Sequence, residues 1–166
     1  MTLLRAQLLV LAALLSAFGQ GRPKAEGPDP LCGYFQAVLR EAPTNFVGLR
    51  GKPMEGYSIP LWQGKLKAPG STSCQVTEKS YVCSLGFRPD QAKGKREFEA
   101  LAQRVLACFP GWRIQSARGN DSWTFALLRE EMLMAVDFEC LQDCSFKKDP
   151  RPELFLRVQY RRSVVP

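Results

Sequence analysis

Apolar positions in this chain recur with two periods, one helical and one of strands, and the switches between them set out the elements. After Asp29-Pro30, Leu31, Phe35, Val38 and Leu39 follow one another at helical spacing as far as Glu41, with Pro43 just beyond. An Asp whose carboxylate can accept orphan amides, followed by Pro at the first helical position, is a strong helix start. A second apolar stripe is formed by Phe98, Leu101, Ala102, Val105, Cys108 and Phe109. Lys95, Arg96, Glu97, Glu99 and Arg104 mostly face away from it, Asp90 stands at a cap position, and Pro110-Gly111 stops it. Gly94 weakens the first turn of that helix.

Between and after the helices the period drops to two. Tyr57, Ile59 and Leu61 alternate as a first strand, followed by Leu66 and a turn at Pro69-Gly70. The run from Cys74 to Cys83 reads as a hairpin turning at Glu78-Lys79, with Val76 facing Tyr81 and Cys74 facing Cys83. Beyond the second helix, a turn at Gly119-Asn120 sets Ile114 against Phe125 and Trp112 against Leu127. A turn at Glu130-Glu131 sets Leu127 against Met134, Phe125 against Val136, and Trp123 against Phe138. Both hairpins turn the same side chains inward, and a last strand adds Leu154, Leu156, Val158 and Tyr160 to that face. The order is helix, two or three strands, helix, four strands. It predicts an α+β fold with two helices packed on one face of a largely antiparallel, disulfide-stapled sheet.

The ends of the chain change the picture by adding a compartment. Met1 to Arg5 carries one positive charge, Leu8 to Phe18 is an unbroken apolar or small-residue run, and Ala17-Phe18-Gly19 offers small residues at a cleavage site. The run is shorter than the roughly 20 residues that span a bilayer, so no permanent membrane anchor is expected. Residues 1–19 therefore read as a signal peptide, 20–28 as a flexible Gly- and Pro-containing lead, and 29–166 as a single domain with no internal sequence repeat. The expected location is secreted or periplasmic.

Six cysteines lie after the signal, at Cys32, Cys74, Cys83, Cys108, Cys140 and Cys144. An even number in an oxidising compartment favours disulfides. The hairpin register joins Cys74 to Cys83, Cys140 and Cys144 flank a short Leu-Gln-Asp loop and are expected to bridge, and elimination leaves Cys32 with Cys108. A zinc site would have to be assembled from scattered cysteines, since the chain has no Cys-x2-Cys and no His. Redox catalysis normally uses Cys-x-x-Cys, which is also missing.

Candidate chemistry is narrowed by the same absence of His, which excludes Ser-His-Asp and Cys-His catalysis. No glycine-rich phosphate loop is present, and neither a metal nor a cofactor is expected. Carboxylates are the remaining acid–base class, and Asp137 with Glu139 on one outward sheet face gives an alternative reading as a His-free hydrolase. The formal charge is +7, or +6 after Gly19, because Arg5 is the only charged residue before it. A basic exported protein meets proteins or anionic envelope polymers, while nucleic acid is not an expected partner. Asn120-Asp121-Ser122 is a glycosylation acceptor in a eukaryotic source and only a turn in a bacterial one.

The outward side of the last strand carries Phe155, Arg157, Gln159 and Arg161, with Ala126, Leu128, Leu133 and Ala135 on neighbouring strands. An apolar patch with arginines is a protein-contact surface, unless another element such as the Cys140–Cys144 loop or the first helix covers it. The sequence-level expectation is an exported, non-catalytic binding module contacting its partner through Phe155, Arg157, Arg161, Leu128 and Leu133.

Overall fold

A computed structural model describes residues 29–118, 122–139 and 152–161. Two helices, α1 (Pro30–Glu41) and α2 (Gln91–Cys108), accompany eight strands in chain order. The strands are β1 (Arg50–Pro53), β2 (Trp62–Gly64), β3 (Ser73–Val76), β4 (Ser80–Phe87), β5 (Arg113–Arg118), β6 (Ser122–Arg129), β7 (Met132–Glu139) and β8 (Glu153–Tyr160). They form one sheet in the order β1-β2-β3-β4-β8-β7-β6-β5, antiparallel throughout. The fold is thus a helix followed by a four-strand meander, twice over, with the two last strands, β4 and β8, joined at the centre. The sequence carries no matching repeat, so this duplication exists only in the architecture.

Both helices start as their caps dictate. Leu31 N donates to Asp29 Oδ1 (2.8 Å) and Lys93 N to Asp90 Oδ1 (3.0 Å), each satisfying an otherwise orphaned first-turn amide. The helices bury Leu31, Tyr34, Phe35 and Val38 from α1 and Phe98, Ala102 and Val105 from α2. The sheet face beneath them supplies Val76, Tyr81, Phe125, Leu127, Met134, Val136, Phe138, Leu154, Leu156 and Val158 to the same core.

Among the described residues, two disulfides fix the frame. Cys32 to Cys108 ties the start of α1 to the end of α2 (Cα–Cα 5.2 Å), and Cys74 to Cys83 closes the β3–β4 hairpin (Cα–Cα 4.0 Å). Beside the first, Arg104 grips Asp29 with Nε and Nη2, each 2.8 Å from a carboxylate oxygen. Beside the second, Gly64 lies so close to Tyr81 and Cys74 that a Cβ would stand 2.4 Å from the Tyr81 hydroxyl. That hydroxyl accepts from Leu66 N (3.0 Å) and donates to Leu66 O, anchoring the β2–β3 connection to β4. The expected pair Cys140–Cys144, the signal and lead segments, and Asn120 lie outside the described residues.

The first strands differ from expectation. Tyr57 and Ile59 are not in a strand and are more than half exposed. Pro60 interrupts that run and lacks the amide a ladder needs, so pairing begins at Trp62, which sits opposite Val76. The unexpected strand β1 is short and polar, an edge without an apolar face to announce it. The β5–β6 register also differs: Ile114 faces Leu127 and Ser116 faces Phe125. This is a slip of two residues from the expected pairing, and Trp112 falls before the strand. A slip of two leaves every side chain on its face, so the hydrophobic pattern could not detect it. The β6–β7 pairs Leu127–Met134, Phe125–Val136 and Trp123–Phe138 are those expected.

Candidate functional site

The residues expected to form the outward contact face do come together on the sheet side opposite the helices. Ala126 faces Ala135, Leu128 faces Leu133, and Arg157 lies between Ala135 on β7 and Val82 on β4. The face is not open. Phe155 is 9% and Leu133 4% exposed, and Ala126 and Ala135 are buried, whereas Leu128 is half-buried and Arg161 exposed. Of the two readings the sequence left for this face, covered or available, the burial of Phe155 and Leu133 favours the covered one.

Its centre is a polar knot. Asp137, 3% exposed, accepts at Oδ1 from Thr124 Oγ1 (2.8 Å) and from Arg157 Nη2 (3.0 Å). Arg157 Nε lies 3.0 Å from Oδ2, an ion-pair distance, though it lacks the alignment of a hydrogen bond. Glu153, also buried, accepts from Ser84 Oγ and stands opposite Glu139 in the ladder. Burial pushes the Glu139 carboxyl upward in proton affinity, the negative charge of Asp137 adds to this, and Arg157 opposes it. Asp137 is thus committed to a cation and a hydroxyl. No cluster of metal-ligating side chains occurs among the described residues.

The more open site is one that the periodicity does not mark. At the sheet edge, α2 stops short of β5, leaving a groove of about 310 Å3. Its apolar walls are Phe98 and Ala102 from α2 with Trp123 and Phe125 from β6, and Ser116 and Arg118 of β5 close its rim. The guanidinium of Arg118 lies 6.0 Å from the Trp123 ring centroid, within range of a weak cation–π contact. All six residues of β5 are exposed, including Ile114, which points to the same side as the core residue Leu127. The strand pairs only with β6, so its other side presents main-chain donors and acceptors without partners among the described residues. A signal for this site did exist in the sequence, since Ile114 alternates with Ser116 and Arg118 while the strands around it alternate with large apolar residues. Only the position of α2 turns that weakness into a groove.

No family model matches the chain, and no curated protein or solved structure matches it. Its described residues form an α+β fold with an antiparallel eight-stranded sheet and two disulfides, and they include no helix long and apolar enough to cross a membrane.

Proposed function

We propose that this chain is an exported binding module that recognises a protein or an anionic envelope component without catalysing a reaction. The observation that carries the reading is the exposed edge strand β5 beside the apolar groove against α2. The contact is therefore assigned to this groove, and the face around Phe155 and Leu133, being buried, is assigned to structure. Export rests on the N-terminal sequence pattern and agrees with the two disulfides. The carboxylate-hydrolase alternative draws its one support from the raised proton affinity of Glu139, since its companion Asp137 is held by Arg157 and Thr124.

Site-specific photocrosslinking in the native exported fraction tests the assignment. A photoreactive residue replacing Gln103, on the groove wall, is compared with one replacing Gln159 on the outward face. A discrete adduct from position 103 alone is the expected result. An adduct from position 159 alone moves the contact back to the outward face, and no adduct from either removes the binding-module reading.

A further inference from the structure

We infer that the β5 edge takes its partner by strand addition, and that the partner is an extended acidic segment with apolar side chains at alternate positions. This deepens the binding-module reading and rests on it. The two edges of the sheet are built differently. At one end β1 has four residues, contains Pro53 and breaks its register with β2, all features that discourage further pairing. At the other end β5 runs six residues in unbroken register with β6 and contains neither Pro nor Gly. Among the described residues, only this second edge offers a straight template of main-chain groups.

The groove beside it supplies the other half of a strand-addition site. An extended peptide laid along β5 turns every second side chain toward α2. There those side chains meet Phe98, Ala102, Trp123 and Phe125, and the main-chain bonds give affinity while the groove selects the alternate side chains. Arg113 and Arg118 stand at the two ends of β5, on opposite faces of the sheet, in a chain of formal charge +7. Both are exposed, which favours acidic residues in the added strand.

The same two arginines argue against a second copy as the occupant. An antiparallel pairing of two β5 strands would bring four exposed arginines and no carboxylate to one seam, between two chains of formal charge +7 each. The accumulated like charge along that seam opposes such a pair. A separate acidic strand removes that conflict and turns both charges to use.

The test is fluorescence anisotropy with the oxidised protein and labelled eight-residue peptides. One alternates glutamate with valine, one alternates lysine with valine, and two are glutamate–valine peptides N-methylated at either the odd or the even amides. The glutamate–valine peptide is expected to bind at least tenfold more tightly than the lysine one, and the double variant Arg113→Glu, Arg118→Glu to reverse that preference. One N-methylated peptide is expected to bind and the other to fail, because strand addition uses a single edge. Equal binding of the acidic and basic peptides overturns the charge assignment, and survival or failure of both methylated peptides overturns strand addition. Dimerisation of the unliganded protein in sedimentation through an edge blocked by Ser116→Trp assigns the strand to a second copy and also overturns the inference. A discrete adduct at position 103 together with indifference to methylation leaves the binding-module reading standing and removes this one.

Discussion

Gly94 in the first turn of α2 lies against the ring of Phe138 on β7, so close that a Cβ would stand 2.5 Å from the ring's Cζ. By helix propensity alone this glycine is a defect worth about 1 kcal/mol relative to alanine. The packing reverses that preference, because Phe138 is fully buried and the ring has no free direction in which to retreat. Gly94→Ala is expected to destabilise the protein by about 1–3 kcal/mol in urea titration, as overpacked core positions do. Adding Phe138→Leu should recover part of that loss, a coupling that a simple propensity effect would not produce.

The two disulfides should differ in worth because they close loops of very different length. Their sequence separations are 76 for Cys32–Cys108 and 9 for Cys74–Cys83. Loop-closure entropy assigns about 4.5 kcal/mol to the first and about 2.7 kcal/mol to the second. Paired Cys→Ser variants, unfolded in urea at neutral pH, should rank in that order. A larger loss from opening the hairpin bridge would show that local packing around Tyr81 and Gly64, and not chain entropy, sets its value.

Acid should release the clamp that joins the helices. The Arg104 guanidinium, and then the Leu31 amide, hold the Asp29 carboxyl well down, at about 2 against an ordinary 3.8. A carboxyl lowered in the folded state stabilises fully above its unfolded value, and that contribution is lost as pH falls from about 4 through about 2. Arg104 is 46% exposed, so solvent screening reduces the expected effect to about 1 kcal/mol. Asp29→Asn retains a capping oxygen and removes the charge. Its deficit against the wild type should be present at pH 7 and vanish as pH falls below about 2; a deficit independent of pH would assign it to the cap.

On the outward face, Arg157 should prove structural. Arg157→Met leaves the buried Asp137 carboxylate with only Thr124 as a described donor and is expected to cost about 3 kcal/mol, the lower end for a broken buried pair because Arg157 is 35% exposed. Combining it with Asp137→Asn should restore a substantial part, measured by urea unfolding of the four proteins in the cycle. For the same reason, placing glutamate at both the buried Phe155 and Arg157 would report on folding before it reported on any partner. Free tolerance of Arg157→Met would return that residue to the candidates for surface contact.

The sequence by itself determined the parts of this protein whose determinants lie close together in the chain. Asp29-Pro30 and Asp90 set the helix starts through caps within three residues, and Glu78-Lys79 and Glu130-Glu131 joined strands whose alternation left one register with the apolar side chains together. The Cys74–Cys83 bridge followed from that register, whereas Cys32–Cys108, which elimination reached only by setting Cys140 with Cys144, is fixed where α1 meets α2. What tertiary structure alone decided involves partners far apart or patterns that pairing does not change. The two-residue slip of β5 keeps every face, the polar edge β1 has no apolar face to betray it, and Tyr57 and Ile59 alternate without entering the sheet. The commitment of Arg157 to Asp137 is a diagonal contact between β7 and β8, strands that no tight turn holds in register. The groove between α2 and β5 is likewise a matter of which strands a helix covers, since its α2 walls, Phe98 and Ala102, lie mid-helix. Alternation says which side of a strand is apolar; only the assembled layers decide whether that side is covered.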